Sequence, residues 1–433
     1  MKLTRRLVVK GAAVTAASFN GLNAAAETPL AAATGAGSSA TSLAQDETFW
    51  RAVAAHYDVT DEIVNLENAY WGLMARPVME AFFRHTEMVN RRNSWYARRD
   101  FYGDVAAVQQ RLADKLGVGA DEVVLTRGAT EALQGLVGGY NRLKPGDAVM
   151  YADLDYDSIQ TAMETLAERS GASVVRVAVP EPVTYDGVVD FYRQALKANP
   201  KVRLLLLTHI SHRTGLLMPI RDIVEMARGF GVDCIIDVAH SWGQIDFTVD
   251  DLGADFIGFN LHKWIGAPIG AGLMYIRKSR LADISPNLSE RPEGVGQVFN
   301  RVHTGTANFA TYLTVNDALD FHELIGPENK QARFAYLRNV WVNELRGDDR
   351  LDILTPDDPR LHAGITSFRI KGRTSVEDNK AIVAQLAEEH GIFTVHRPGV
   401  AKGACVRVTP SLYNTPDDSL KLVKALRAMM DAG

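Results

Sequence analysis

Lys263 follows the apolar run 255-DFIGFN-260 and precedes the glycine-rich loop 265-IGAPIGAGL-273. Its ammonium therefore lies between a strand-like segment and a loop too rich in glycine to be core. Asp237 ends another apolar run, 233-DCIID-237, where a carboxylate is costly unless a cation or a donor meets it. At 126-TRGATEAL-133 a strand stops at Thr126, the chain turns at Gly128, and Ala129-Thr130-Glu131 opens a helix. The free N–H groups of that helix start, with the Thr130 hydroxyl, form an anion site suited to a phosphate. Each sign has an ordinary structural reading on its own: a threonine before a helix is commonly an N-cap, and an aspartate can cap its own turn. Asn260 and His262 flank the lysine and can donate to the same phosphate. A phosphate cradle, a carboxylate to keep a pyridinium nitrogen protonated and a lysine to form a Schiff base are the parts that pyridoxal phosphate needs.

Such residues need strands that deliver them to one edge. Apolar runs at 122–126, 147–152, 173–179, 202–210, 233–239, 255–260 and 272–277 are separated by amphipathic stretches or Gly-rich turns. Continuous Val/Ile/Leu runs predict strands covered on both faces, hence an α/β fold with a mostly parallel seven-stranded sheet sandwiched by helices. In such a sheet, ligands bind beyond the carboxyl ends of the strands. From about residue 335 the pattern changes to a long amphipathic helix, strands within 363–370, 392–397 and 404–410, and a last helix over 416–432. The expected division is a leader and low-complexity linker over 1–45, an N-terminal segment and large cofactor-binding domain over 46–334, and a small C-terminal α+β domain over 335–433.

Composition narrows the function. The chain has 433 residues, 46% apolar and 23% charged, an ordinary soluble globular balance. A net charge of -5 without a dense basic block argues against nucleic acid as partner and for a small molecule. The only two cysteines, Cys234 and Cys405, sit in apolar, strand-like settings, so neither a disulfide framework nor a zinc or other metal site is expected. The GAG at 270–272 lacks the third glycine and the following helix of a dinucleotide loop. At the start, Arg5-Arg6, the weak apolar run 11–26 and Ala24-Ala25-Ala26 as a cleavage site read as a twin-arginine export signal. That run is too short to span a membrane. A periplasmic protein is expected, carried folded by the twin-arginine translocase and free of the membrane once the signal is removed.

The order and spacing of these residues resemble fold-type I pyridoxal-phosphate enzymes of the class V aminotransferase family, the group that includes cysteine desulfurases and isopenicillin N epimerase-like proteins. The likeness covers about residues 60–430. In that family the lysine sits in an H-K-x-x-G-P-x-G-x-G-x-x-Y type of motif, and 262-HKWIGAPIGAGLMY-275 is similar, with one extra residue before the proline. The resemblance implies that Lys263 holds the cofactor, that Gly128, Ala129 and Thr130 form its phosphate loop, and that Asp237 partners the pyridine nitrogen. It also puts His240, in D-x-A-H, beside the ring hydroxyl. Tyr156, in 153-DLDYDS-158, becomes the aromatic over the ring; desulfurases usually have histidine there, and tyrosine fits the epimerase-like branch better. The stretch 303-HTGTANFA-310 resembles the segment in which Gly305 and Thr306 contact the phosphate of the neighbouring subunit, which implies a homodimer with shared active sites. By the same likeness Asn68, in 65-NLENAYWGLMARP-77, helps to hold the substrate carboxylate, and Arg407, in 405-CVRVTPSLYNTPDD-418, clamps it. Val408-Thr409-Pro410 replaces the alanine or serine usual after that arginine. His212 ends a strand near the cofactor hydroxyl and is a further candidate for the substrate site.

The expected activity is chemistry at the α-carbon of an amino acid or a peptide-linked amino acid, with Lys263 as general base. Transamination and epimerisation lead. β- or γ-elimination stays open, as does a catalytically inactive binding protein on the same fold, against which the intact set of Lys263, Asp237, Thr130 and Arg407 argues. Cysteine desulfuration is disfavoured, because neither cysteine lies in a mobile loop. The exported minority of the family includes a periplasmic enzyme that modifies the glutamate of a peptide siderophore, pyoverdine, so a tailoring role of that kind is the expectation for an exported chain.

Overall fold

The computed structural model describes residues 39–291 and 296–432. The twin-arginine motif and its cleavage site lie outside them. Thirteen strands are described: β1 (Val64–Asn65), β2 (Val123–Thr126), β3 (Ala148–Ala152), β4 (Ser173–Val177), β5 (Val202–Thr208), β6 (Asp233–Asp237), β7 (Phe256–Asn260), β8 (Gly272–Ile276), β9 (Leu351–Ile353), β10 (Thr366–Ile370), β11 (Ile392–Phe393), β12 (Val395–Arg397) and β13 (Cys405–Val408).

The large sheet runs β2-β8-β7-β6-β5-β3-β4, with β8 antiparallel to both its neighbours and the other pairings parallel. This is the α/β sheet expected from the apolar runs, and β5 shows why those runs are continuous. Leu205 and Leu207 enter one buried cluster while Leu204 and Leu206 enter another on the opposite face. Burial of each such leucine is worth about 1.5–3 kcal/mol, so after the half-buried Arg203 no position along β5 is free to be polar until the strand ends at Thr208.

The register then collects the polar ends on one edge. Thr208 pairs with Asp237, Asp237 with Gly258, and Gly272 lies between Thr126 and Asn260. Because β8 runs the other way, its first residue meets the last residues of β2 and β7. Gly272 is required there: a Cβ on it would lie 2.4 Å from the Gly128 Cα.

The smaller unit is a four-stranded antiparallel sheet, β12-β13-β10-β9, packed on the helices Pro327–Leu345 and Pro416–Ala432 around Trp341, Phe368, Val406 and Leu422. Its first helix begins at Pro327, some way before the expected position. Lys330, Arg333 and Arg338 on it are buried, so the helix has no clean polar face by which to read its start. The single strand expected over 392–397 is broken into β11 and β12 around the buried Thr394. β1 pairs in parallel with β11, and Glu67 bridges to Thr409, which lays residues 64–68 against the small unit. Part of the expected linker is folded as well: Ala40–Leu43 is a helical turn, and the Leu43 carbonyl accepts from the Trp50 indole at 2.8 Å. Among the described residues, no helix is long and apolar enough to cross a membrane.

Gly272→Ala should lower the thermal midpoint by several degrees, on the order of 1–3 kcal/mol for an overpacked site. Gly138→Ala, where an added Cβ meets nothing within 4 Å on the same loop's helix, should be neutral or stabilise by up to about 1 kcal/mol. Equal melting curves for the two variants would show that the close approach of β8 to the 126–129 loop does not constrain the fold.

Candidate active site

Three hydrogen bonds fix the backbone around Lys263. The Leu261 N–H donates to the Ala271 carbonyl at 3.0 Å, closing the loop on itself. The Gly72 N–H donates to the His262 carbonyl at 2.8 Å, and the Lys330 ammonium donates to the Trp264 carbonyl at 2.7 Å. Gly72 was not singled out from the sequence, yet a Cβ there would lie 1.9 Å from the Lys263 carbonyl oxygen. The peptide on either side of the lysine is therefore clamped, and the side chain extends from a fixed base.

Lys263 is half-buried, with its Nζ 3.0 Å from His240 Nε2. Burial and the Arg407 guanidinium push the pKa of this amine down, with Arg397 adding to the effect while Asp237 and Glu67 pull it back. Buried His240 is pushed well down by its surroundings and by Lys263. His240 Nδ1 has no partner among the described residues. The Gln244 amide holds this residue by its carbonyl at 2.7 Å.

Asp237, at the end of β6, is buried and accepts one backbone bond, from Ala239 N–H at 2.8 Å. Burial raises its pKa; that bond and Lys263 oppose the rise. It forms no ion pair among the described residues. A buried carboxyl group with one donor at a sheet edge is the setting in which a protonated ring nitrogen would be welcome, and Asp237 fits that role. Next to it, Asp155 takes the Thr208 hydroxyl at 2.8 Å and the Ala152 N–H at 2.7 Å, and burial pushes its pKa up to about 7.

The anion loop is in place, with one correction to its donors. Gly128 and Ala129 are buried and Thr130 is exposed at the helix start; its hydroxyl makes no hydrogen bond among the described residues. Asn260 and His262 were both expected to donate to a phosphate. Instead the Asn260 side-chain oxygen accepts from the Ala129 N–H at 2.7 Å, so it shapes the loop and only its amide nitrogen remains available. His262 Nδ1 lies 3.0 Å from the Ala271 carbonyl, which only an N–H can satisfy, and burial lowers its pKa to about 4. Its other nitrogen is then a lone pair, not a donor. The cause is local: the carbonyl just before β8, which already accepts from the Leu261 N–H, takes a second donor from the side chain beside it.

At the substrate end, buried Arg407 donates from Nη1 to the His212 carbonyl at 2.6 Å and from Nη2 to Glu67 Oε1 at 2.5 Å. Asn68 does not face this site as expected. Its amide nitrogen donates to the Thr409 carbonyl at 2.9 Å and its oxygen accepts from the Tyr413 hydroxyl, so both ends are spent on binding the N-terminal segment to the small unit. The neighbouring Glu67 reaches the arginine instead. His212 is buried with its ring edge-on to half-buried Tyr156, centroids 5.3 Å apart, and its pKa is pushed well down by burial and by Arg213. Gly305 and Thr306 are exposed and line another cavity, of about 970 Å³, with Phe101, Phe299 and Tyr312; the adjacent Thr304 hydroxyl lies 3.5 Å from Glu131 on the anion-loop helix. Arg397 and Glu67 belong to the site and were missed from the sequence. The pairing of β12 with β13 brings in Arg397, and the bridge from Glu67 to Thr409 brings in Glu67, which the 65–77 stretch contains but does not single out.

The protein-family model for aminotransferase class-V matches residues 77–418. Isopenicillin N epimerase of Streptomyces clavuligerus is 23% identical over 397 residues, covering 88% of this chain and 98% of that protein. Putative L-cysteine desulfhydrase 1 of Oryza sativa subsp. japonica is 32% identical over 360 residues, covering 76% and 72%. Among solved structures, the apo cysteine desulfurase of Thermococcus onnurineus NA1 superposes with a TM-score of 0.74 at 20% identity, over 88% of this chain and 98% of that one, a likeness of fold that matches fold-type I. With a family model spanning most of its length and the lysine, aspartate and anion loop gathered at one sheet edge, the chain belongs to the class V aminotransferase family.

Proposed function

We propose that this is a pyridoxal-phosphate enzyme acting at the α-carbon of an amino acid or a peptide-linked amino acid, by epimerisation or transamination. The observation that carries the reading is the Lys263 amine, 3.0 Å from His240 and shifted toward its neutral form, at the sheet edge that also holds buried Asp237. When bound, pyridoxal phosphate supplies an aldehyde that condenses with amines and a ring that draws electrons from the α-carbon. Asp237 is suited to keeping a proton on the ring nitrogen, and Gly128, Ala129 and Thr130 to seating the phosphate. The Lys263 Nζ, oriented by His240, is suited to taking the α-proton and returning it. Arg407 and its neighbours supply the positive charge for a carboxylate.

The likeness to isopenicillin N epimerase favours proton return at the α-carbon. The 32% identity to a protein named as an L-cysteine desulfhydrase favours a second reading, a lyase acting by β-elimination. Persulfide transfer has no support from the thiols: burial pushes Cys405 up to about 11 and Cys234 higher still, so neither offers a thiolate. The paired arginines at the chain start support delivery to the periplasm, and with it a substrate such as a siderophore-borne glutamate.

Borohydride reduction of the yellow protein followed by peptide mapping should label Lys263. Lys263→Ala should abolish the label and cut turnover at least about a thousandfold; a label on another lysine of the unsubstituted enzyme overturns the assignment. Screening amino acids and peptides with a free amine in deuterated water separates the reactions. α-Deuteration with loss of chirality marks epimerisation, keto-acid formation with aminated cofactor marks transamination, and release of ammonia with pyruvate marks elimination.

Asp237→Asn keeps the volume and removes the charge, so turnover should fall about 10²–10⁴-fold while the cofactor still binds. The effect on the apoprotein has the opposite sign. Because burial raises the folded-state pKa of Asp237, stability is lost as pH rises from about 4, the unfolded value, through the folded one. The asparagine variant should lose less of its melting temperature over that interval, and unchanged activity together with an unchanged pH slope would remove Asp237 from the site. For the export reading, Arg5-Arg6 replaced by Lys-Lys should leave holoenzyme in the cytoplasm on cell fractionation; normal delivery in a strain without the twin-arginine translocase would refute it.

A further inference from the structure

Asp157 directly follows Tyr156, and Arg213 directly follows His212. The two are joined by their side chains: the Arg213 guanidinium donates from Nη2 to Asp157 Oδ1. This ion pair closes a frame around the edge-on contact of Tyr156 with His212. Its partners are unequal, for the arginine side chain is 3% exposed and the aspartate 69%. Asp157 is the only side chain that accepts from Arg213 among the described residues, and the buried Nε has no partner there. An acid in the first turn of the helix Asp157–Ser170 has no need of a buried cation, and burying one is costly.

Tyr156 supplies the reason. It is the N-cap residue of that helix without capping it by side chain, and its hydroxyl makes no hydrogen bond among the described residues. Its ring is placed by its own backbone, by His212 and by the apolar side chains it packs on. Arg213 ties down that backbone one residue on, at Asp157. The arginine is in turn held from the small unit: its carbonyl accepts from the Ser367 hydroxyl, and its guanidinium lies against Gly399, where a Cβ would stand 1.5 Å from Nη1. Two residues further, the Ala401 N–H donates to Asp153 at 2.9 Å. The loop after β12 therefore bears on both sides of Tyr156, directly at Asp153 and through Arg213 at Asp157.

We propose, resting on the functional reading above, that Arg213 is a positioning residue: through Asp157 it sets Tyr156 over the cofactor ring, and Gly399 makes that setting depend on the seated loop of the small unit.

The first readout needs no cofactor. With fluorotyrosine incorporated, the Tyr156 fluorine resonance of the apoprotein is assigned by its loss in Tyr156→Phe. Arg213→Gln and Asp157→Ala should each shift or broaden it, and the double variant should do no more than either alone, since both remove one pair. In the holoenzyme the same variants should alter the visible circular dichroism of the cofactor band. They should also lower kcat about tenfold to a hundredfold with KM within about threefold, and Arg213→Lys should recover part of each change. Gly399→Ala should reproduce the Arg213→Gln result. Gly372→Ala, at a comparable positive φ with open space around the added Cβ, is the control for backbone strain and should leave both signals unchanged. If the resonance and the dichroism stay as in the unsubstituted protein while only the thermal midpoint falls, Arg213 is structural and the inference is wrong. Should Arg213→Gln fail to fold, Asp157→Ala and Gly399→Ala decide. A protein without a visible band whose Tyr156 resonance still responds would refute the functional reading, while the hold of Arg213 on Tyr156 would stand.

Discussion

The structure turns on keeping ionisable groups apart from water at the carboxyl edge of a sheet whose central strands are buried on both faces. Asp237 and Lys263 are pushed by burial in the directions that discharge them, and each partly reverses the shift of the other. Neither would be chosen for stability, since buried ion pairs are often replaceable by apolar groups at no cost. Their retention at the ends of adjacent strands makes sense as a site whose charges are completed by a ligand. The surrounding backbone is accordingly close-packed: Gly72 and Gly272 let their segments pass the Lys263 carbonyl and the Gly128 backbone at distances that any side chain would block.

The same constraint explains the second unit. Arg407 can reach the sheet edge only if β13 is held against the large domain, and polar contacts hold it there. The Arg407 guanidinium binds the His212 carbonyl, the Ser367 hydroxyl binds the Arg213 carbonyl at 2.6 Å, and Gly364 N–H binds the Gln244 side chain at 2.7 Å. On the helix Pro327–Leu345, Lys330 reaches the Trp264 carbonyl at 2.7 Å and Arg333 the Ala44 carbonyl at 3.0 Å. Buried polar contacts of this sort fix register and orientation more than they add stability. Here they fix the distance between Lys263 and Arg407.

These contacts also mark where sequence reasoning stops. The central strands were legible because burial on both faces writes an unbroken apolar run, and Lys263, Asp237 and the 128–130 loop were legible because each ends such a run. The helix from Pro327 was misplaced because three of its charges are buried, so its period is erased. Donor and acceptor roles were not legible either. Asn260 and His262 stand in the expected places, but which atom each has to spare depends on Ala129 and Ala271, brought alongside only by folding. Asn68 was read from its motif and Glu67 passed over, although a one-residue step along an extended segment decides which of them faces Arg407.

The charge balance around Lys263 links binding to chemistry. Burial, and after it Arg407 and Arg397, hold the amine toward its neutral form, the state in which it can attack an aldehyde or accept a proton. A carboxylate arriving beside these guanidiniums offsets part of their positive potential, and the amine's affinity for a proton rises as a result. In the proposed function, Lys263 is therefore weakest as a base while the pocket is empty, when a neutral amine is wanted for holding the cofactor. It is strongest once a substrate is seated with its α-hydrogen in reach. Asp237, and to a smaller extent Glu67, cancel part of that field beforehand and leave the rest of the change to the ligand.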